Sequence, residues 1–381
     1  MLRPSRSLNN LPARRWSGAI IYCLLLLVIV SACGGSTNGK KTPTATATGP
    51  TATPEPGSAY TYAFARGGNI WVTRPGKAAA QITNFSDVGL TIASLAWSPD
   101  AKHIAFERSG AGNPVDYSVD VSSGQLLALN VPSTTAAATL GWSNTYTVVV
   151  VKYVSSSATQ IWKEDITSSL SSQITQLGTI GEVEIRNQSF YYALFDSTSK
   201  ELMLHRYDIN LGSEGTPDPI TPAGTSLLTV NWDVSSDGGY VAFGFKLATA
   251  DANWDNGFWY IQFSDNTNRQ QMFPELKLGS FANADPITLT FSPDGQTILL
   301  NTKSGVGPAS EVNDGSGFHQ YKPTGSVSSQ NNISWAPNGA SFAISGSGSD
   351  TTVNATIYTL NGSSDGTVLE QKADLLQWAP L

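Results

Sequence analysis

The chain has 381 residues, of which 40% are hydrophobic and 13% are charged, and its formal net charge at neutral pH is −7. An acidic chain lacks the basic face that attraction to phosphates requires, so we expect no nucleic-acid partner. Its two cysteines, Cys23 and Cys33, both lie near the N-terminus. We therefore expect no disulfide in the rest of the chain, and stability must come from the core.

The first 32 residues have the organisation of a secretory signal. Four arginines precede Ala19 to Val30, an apolar run of 12 residues that is too short for an ordinary membrane span. The sequence Val30-Ser31-Ala32-Cys33-Gly34 then resembles the lipobox of bacterial lipoproteins. We predict that residues 1–32 are removed and that a lipid on Cys33 anchors the protein outside the cytoplasm, on a bacterial membrane.

Residues 33–58 join the predicted lipid anchor to the rest of the chain. This segment is rich in Thr, Pro, Ala and Gly and has no apolar periodicity. Such a composition does not bury enough apolar surface to offset the entropy of ordering, so we predict a disordered linker. The folded domain is expected to begin at residue 59 and to extend to residue 381.

A strand–turn–strand pattern recurs through residues 59–381. In Phe291-Ser292-Pro293-Asp294-Gly295, Pro suits the second position of a type I turn and Gly the fourth, and an apolar strand follows. The aromatic residue before each turn serves as the repeat anchor, and the anchors are Trp97, Trp142, Trp232, Phe291, Trp335 and Trp378. The gap between 142 and 232 leaves space for a degenerate copy near residue 187, where the Trp is absent.

A period of about 40–45 residues with four strands per unit is typical of propeller blades. At the N-terminal end, Tyr62 to Arg66 reads as the second strand of a blade whose first strand is missing. The missing strand is predicted at the C-terminal end, as Leu375 to Trp378. The expected fold is therefore an all-β propeller with seven blades, six being the alternative, closed by pairing of the C-terminal strand with the N-terminal blade.

Four features of the repeat are the Trp-Ser-Pro-Asp turns, the apolar second strands, the pairs Ile70-Trp71 and Ile357-Tyr358 in third strands, and the closing Gln81-Ile82-Thr83. In these features the repeat resembles the TolB-type, WD-repeat-like β-propeller repeat. The resemblance covers about residues 59–381. It implies the propeller architecture but not one activity, because propellers of this type serve as binding platforms, periplasmic scaffolds and accessory domains of hydrolases.

Basic residues recur at one position of the predicted repeat. Five of seven blades carry Lys or Arg at or just after the end of the second strand, and these residues are Arg66, Arg108, Lys152, Lys246 and Lys303. They predict a discontinuous basic rim on one face of an acidic molecule, which would favour an anionic ligand or an acidic partner. The alternative is that strand ends facing water often carry such residues.

A metal loop and a catalytic site are the remaining candidates. Asp251, Asn253 and Asp255 alternate before Gly257, which resembles the start of a calcium loop, although the Gly comes one residue late and Gln262 stands where that loop needs Glu. A polar insertion is the alternative, and no other cofactor is expected.

The sequence has no Gly-x-Ser-x-Gly motif, and its three histidines fall at different repeat positions. We therefore predict no catalytic residues.

The expected function is a non-enzymatic binding or scaffold module, monomeric, for a protein, peptide or glycan partner in the cell envelope. The rival is a carbohydrate-active or other hydrolase or lyase that uses the axial pocket of the propeller. That chemistry needs paired acids converging at one mouth, and acids from different blades could meet there.

Overall fold

The computed structural model describes residues 59–381, except for 88, 111–112, 135–137, 156–157, 179, 181, 221–226, 248–257, 263–264, 272–285, 296, 303–304, 311–331, 347–353 and 361–365. All described residues belong to one compact unit, Ala52–Leu381. Within this part of the chain every regular element is a β-strand. No helix of the described residues has the length and hydropathy to cross a membrane.

The strands of the N-terminal half are β1 (Tyr62–Arg66), β2 (Asn69–Thr73), β3 (Ala80–Gln81), β4 (Thr91–Trp97), β5 (His103–Ser109), β6 (Val115–Asp120), β7 (Leu126–Ala128), β8 (Thr139–Trp142), β9 (Thr147–Ser155), β10 (Ala158–Asp165), β11 (Leu170–Leu177), β12 (Val183–Arg186), β13 (Ser189–Asp196) and β14 (Glu201–Asp208). Those of the C-terminal half are β15 (Ser213–Glu214), β16 (Asp218–Pro219), β17 (Leu227–Val234), β18 (Tyr240–Leu247), β19 (Phe258–Gln262), β20 (Asp265–Gln271), β21 (Pro286–Phe291), β22 (Thr297–Thr302), β23 (Gly305–Ser310), β24 (Asn332–Trp335), β25 (Ser341–Ser345), β26 (Ala355–Thr359), β27 (Thr367–Glu370) and β28 (Asp374–Trp378).

The described strands form seven antiparallel sheets, numbered here in chain order. Sheet 1 has the order β28-β1-β2-β3, so strands from opposite ends of the domain share it. Sheets 2, 3, 5 and 7 are β4–β7, β8–β11, β17–β20 and β24–β27, each of four strands in sequence order. Sheet 4 comprises β12 to β16, with β15 and β16 both paired to β14, and sheet 6 has the described strands β21 to β23.

The first strands of successive sheets lie beside one another. β28 contacts β4, and the series continues through β8, β12, β17 and β21, while β24 contacts β28. Alternate residues of a strand point to opposite sides of its sheet, so each sheet packs one face against the sheet before it and the other face against the sheet after it. In β9, Val148 and Val150 pack with Ala105 of sheet 2, whereas Val149 and Val151 pack against Phe190 and other residues of sheet 4. The core therefore consists of apolar layers between neighbouring sheets.

The turns between first and second strands have the predicted chemistry. In three of them the Ser hydroxyl donates a hydrogen bond to the Asp two residues later, and the pairs are Ser98–Asp100, Ser235–Asp237 and Ser292–Asp294. The fourth turn residue has a positive φ, which Gly295 and Gly339 adopt readily. The turns are therefore held locally, independently of the sheets they connect.

One repeat anchor is wrong by two residues. Val234, and not Trp232, precedes the Ser235 turn in the way that Trp97 precedes Ser98, and it pairs with Val241 as Trp97 pairs with Ile104. Trp232 is buried in β17, two positions earlier. The register of the turn, and not the position of the aromatic side chain, sets the repeat.

The other tryptophan anchors link each sheet to the one before it. Each indole Nε1 donates a hydrogen bond to a backbone carbonyl in the first strand of the preceding sheet. The bonds run from Trp97 to Gln377 (3.1 Å), from Trp142 to Ala96 (3.0 Å), from Trp335 to Thr290 (3.1 Å) and from Trp378 to Ser334 (3.1 Å). These aromatic residues therefore act in packing between sheets.

Candidate functional site

Two adjoining cavities open where the turns between first and second strands converge. The larger, called here the turn pocket, has a volume of about 620 Å³ and is lined by anchor residues and turn prolines from six sheets, among them Trp97, Trp142, Trp335, Trp378, Pro293 and Pro337. The smaller, called here the side groove, has a volume of about 490 Å³ and lies over sheet 4. Pro99, Arg186 and Asn187 line both, so the two cavities adjoin at these residues.

The side groove exists because sheet 4 has a short turn. Only Asn187 and Gln188 separate β12 from β13, whereas five residues separate β4 from β5. Asn187 has a φ of 51°, which Asn tolerates better than most residues in a tight hairpin. The shorter turn leaves a gap between the turns of sheets 3 and 5, and Tyr191, Arg206 and Asp208 line the groove below it.

Arg186 occupies the anchor position of sheet 4 and contacts sheet 5. Its Nη2 lies 2.6 Å from Asp233 Oδ1, and its Nε donates to the carbonyl of Val234 at 3.1 Å. A third contact joins Nη1 to Glu184 Oε2 at 2.7 Å. The degenerate copy predicted near residue 187 thus replaces the indole by a guanidinium that reaches toward the following sheet.

Two carboxyl groups of β12 and its approach lie behind Arg186. Burial raises the pKa of Glu184 to about 7. The charge of Arg186 lowers this pKa, and the charge of Asp233 raises it. Glu182 reaches solvent, yet desolvation by surrounding protein raises its pKa to about 8, with Glu184 and Asp233 contributing. Burial therefore acts against ionisation of both carboxyl groups, whereas Arg186 favours it.

Arg206 is the exposed cation of the side groove. Its Nε donates to Ser189 Oγ at 3.3 Å, and its guanidinium carbon lies 5.9 Å from the Tyr191 ring centroid. No ion pair with a described carboxylate is found for it. The nearby Asp237 is already held by Ser235 Oγ and the Gly239 amide, which lower its pKa. Arg206 is thus available to an anionic group entering the groove.

The residues of the predicted basic rim have acidic partners wherever their side chains are described. Arg66 pairs with Glu370 at 2.8 Å and Arg108 with Asp87 at 3.0 Å. Both guanidinium groups also lie over aromatic rings, Arg66 over Phe64 and Trp71 and Arg108 over Phe85. These contacts hold the two side chains against the protein, and ligand binding by the rim stays a prediction.

Lys152 is not part of an exposed rim. Its side chain has no solvent exposure, and it lies among carboxylates between sheets 2 and 3. The physical reason is that Lys152 continues the inward-facing row of Val148 and Val150 in β9, a strand of nine residues. Lys246 lies in β18, with its side chain outside the described part of the structure, and Lys303 lies outside it altogether.

The remaining predicted sites are not described. Cys33, Asp251, Asn253 and Asp255 all lie outside the described residues, so the lipidation and calcium hypotheses stay predictions. Among the residues that are described, no cluster of three or more His, Cys, Asp or Glu side chains has metal-binding geometry. Sequence reasoning missed Arg186 and Arg206, although the lost Trp at residue 186 was a usable signal.

Comparison with known proteins supports the fold and leaves the activity open. No protein-family model and no curated protein matches this chain. Among solved structures, an oligogalacturonate lyase in complex with manganese is similar at a TM-score of 0.53 and 12% identity, over 78% of this chain and 84% of that one.

Two further similar structures have lower TM-scores. TolB from Acinetobacter baumannii matches at 0.45 and 15% identity, over 85% of this chain and 67% of that chain. The β-propeller domain of the Trilobed protease from Pyrococcus furiosus matches at 0.47 and 12% identity, over 80% and 92% of the respective chains. The sheet order and the likeness to the lyase support a β-propeller fold, and identities this low carry no information on activity.

Proposed function

We propose that this chain is a seven-bladed β-propeller, anchored outside the cytoplasm by a lipid on Cys33, that binds a partner protein through the turn pocket and side groove. Seven sheets among the described residues, the pairing of β28 with β1 and the contacts between successive first strands support this blade count and closure. The signal-like N-terminus supports the location.

The adjacency of the two cavities carries the proposal of binding. A depression that starts among the Trp and Pro residues of the turn pocket and leaves over the short turn of sheet 4 fits an extended chain better than a compact ligand. Aromatic and proline side chains supply apolar contact, while Asn187 and the backbone of the turns supply polar groups. An extended segment could therefore lie with one residue in the pocket and the next ones along the groove.

The partner segment is expected to be acidic. Arg206 is exposed on the groove and lacks an ion pair with a described carboxylate, whereas the nearby Asp208 accepts hydrogen bonds from the amides of Asn210 and Leu211. A carboxylate in the groove would gain a charge-assisted hydrogen bond from Arg206. Because this cation is exposed, its contribution is mainly to partner selection and association rate.

The test is site-specific photo-crosslinking in intact cells. A photoreactive residue replaces Gln188, which lines the side groove, and a matched one replaces Thr198, exposed at the opposite end of sheet 4. We expect one protein to be captured from position 188 only. Arg206→Gln should reduce that capture, whereas Lys200→Gln, which removes an exposed charge beside Thr198, should not. Equal capture from both positions, or capture unaffected by Arg206→Gln, would contradict the proposal.

A second candidate function is hydrolysis or lysis of an envelope carbohydrate. It is favoured by Glu182 and Glu184, two carboxyl groups with raised pKa values that both lie within electrostatic reach of Arg186. Glycoside hydrolysis likewise needs two carboxyl groups, of which one acts as an acid with a raised pKa. The test is incubation of the purified protein with envelope oligosaccharides. Products that form with wild type but not with Glu182→Gln would support this candidate, whereas the absence of product from every oligosaccharide would contradict it.

A further inference from the structure

A lysine and two carboxylates are buried together between sheets 2 and 3. Lys152 in β9 and Glu107 in β5 have no exposed side-chain surface, and the side chain of Asp116 in β6 is 2% exposed. Lys152 Nζ lies 2.5 Å from Asp116 Oδ2 and 3.5 Å from Glu107 Oε2. The three groups come from three strands of two sheets, so the pairing of the sheets creates the cluster.

The strand register places these groups face to face. Glu107 and Asp116 are directly paired in the β5–β6 ladder, so their side chains lie next to each other on the side of sheet 2 that faces sheet 3. Lys152 follows Val148 and Val150 on the opposing side of β9. All three side chains are almost completely closed to solvent.

An ordinary ion pair satisfies this cluster poorly. As ionised carboxylates, Glu107 and Asp116 each leave one buried oxygen without a hydrogen-bond donor among the described residues. Burial raises the pKa of Glu107 to about 7, against the Ala138 amide and Lys152, and it also raises the pKa of Asp116. Glu164 is buried nearby and adds negative charge. Two acids beside one amine thus hold more negative charge than the amine neutralises.

We propose that Lys152 and Asp116 condense to an intramolecular isopeptide bond that joins sheets 2 and 3 covalently. The neutral amine of Lys152 attacks the carboxyl carbon of protonated Asp116, and a C–N bond forms. Glu107 carries the proton from the attacking nitrogen to the leaving hydroxyl group. The Cγ–O bond breaks and one water molecule leaves, so the amide and water account for every atom, and no oxidant, reductant or co-reactant is needed.

The surroundings favour each part of this step. Proton transfer from Lys152 Nζ to Asp116 Oδ2, which lie 2.5 Å apart, converts the ion pair into the amine and the acid that condense. Lys152 Nζ already contacts an oxygen of the carboxyl group that it would attack, which removes most of the entropic cost of bringing the two groups together. The product replaces two buried charges by one amide whose carbonyl can accept a hydrogen bond from protonated Glu107.

The test is the mass of the purified protein after unfolding, compared with the mass calculated for the same chain after its N-terminal processing. We expect it to be lower than the calculated mass by one water molecule in most of the protein. In Lys152→Arg the measured mass should equal the calculated one, whereas the matched variant Lys163→Arg, changed in the neighbouring strand β10, should retain the loss. Wild-type protein at its full calculated mass overturns the proposal, and so does a loss that persists in Lys152→Arg.

Peptide mapping locates the bond. Trypsin should fail to cleave after Lys152 and release residues 109–163 as one peptide. A further digestion with chymotrypsin, which cleaves after Tyr117 and Trp142, should leave the pieces containing Asp116 and Lys152 joined as a branched pair. Glu107→Gln should slow bond formation, so that a larger fraction of freshly purified variant protein keeps its full mass than of wild type purified in parallel. Normal cleavage after Lys152 in the wild type would contradict the bond.

Discussion

Replacing Trp142 by Phe tests whether the indole hydrogen bonds between sheets stabilise the domain. Trp142 is 6% exposed, and its Nε1 donates to the carbonyl of Ala96 in the preceding sheet. Phe retains an aromatic ring in the same layer but leaves that carbonyl without its donor. An unsatisfied, partly buried carbonyl costs about 1–3 kcal/mol, and the smaller ring adds to this. We therefore expect the free energy of unfolding to fall by about 2–3 kcal/mol.

Trp71 provides the matched control for Trp142. Its Nε1 is buried without a hydrogen-bond partner among the described residues. Trp71→Phe therefore shortens the ring without removing a hydrogen bond, and the Phe keeps an aromatic ring beside the Arg66 guanidinium. Urea unfolding followed by far-ultraviolet circular dichroism gives both free energies from the same two-state fit. If Trp71→Phe costs as much as Trp142→Phe, the loss comes from ring size alone and the hydrogen-bond argument is refuted.

Two further predictions concern a carboxyl group and a glycine. The folded-state pKa of Glu182 is raised, so its neutral form adds stability below the unfolded pKa, and that stability is lost as pH rises through about 8. In urea titrations, Glu182→Gln should thus have a higher free energy of unfolding than wild type at about pH 9 but not at about pH 5. The same difference in free energy between variant and wild type at both pH values would contradict the assigned pKa shift. Gly238 has a φ of 73°, and a Cβ there would lie 2.5 Å from Tyr191 Oη, whereas Gly76 has a φ of 67° and open space. Gly238→Ala should therefore lower the thermal midpoint more than Gly76→Ala, by the equivalent of about 1 kcal/mol or more; similar losses would show that Tyr191 moves away freely.

The strand and turn pattern could be predicted because its signals are local. Pro99, Pro293 and Pro337 preset a turn conformation, and the apolar runs after them have the period of strands. The pairing of β28 with β1 also followed from counting strands, since the first sheet lacked one at its N-terminal end. These inferences required no knowledge of which side chains meet in space.

The failures concern positions where tertiary contacts decide. The sequence predicts Trp232 as an anchor because an aromatic residue is a stronger signal than Val234, although the distance to Ser235 and Asp237 contains the correct register. Lys152 could not be recognised as buried, because Glu107 and Asp116 lie in another sheet. Neither acid is marked by sequence spacing from the lysine.

The sharing of sheet 1 by both ends of the domain has a consequence for synthesis. Tyr62 and Glu370, which are hydrogen-bonded to each other, are 308 positions apart in the chain. Until β28 has been made, β1 has one unpaired edge and exposes the apolar faces of Tyr62 and Phe64, which makes it a site for wrong pairing. The nascent protein must therefore avoid wrong pairing at this edge through almost the whole of its translation, until β28 is made and covers it.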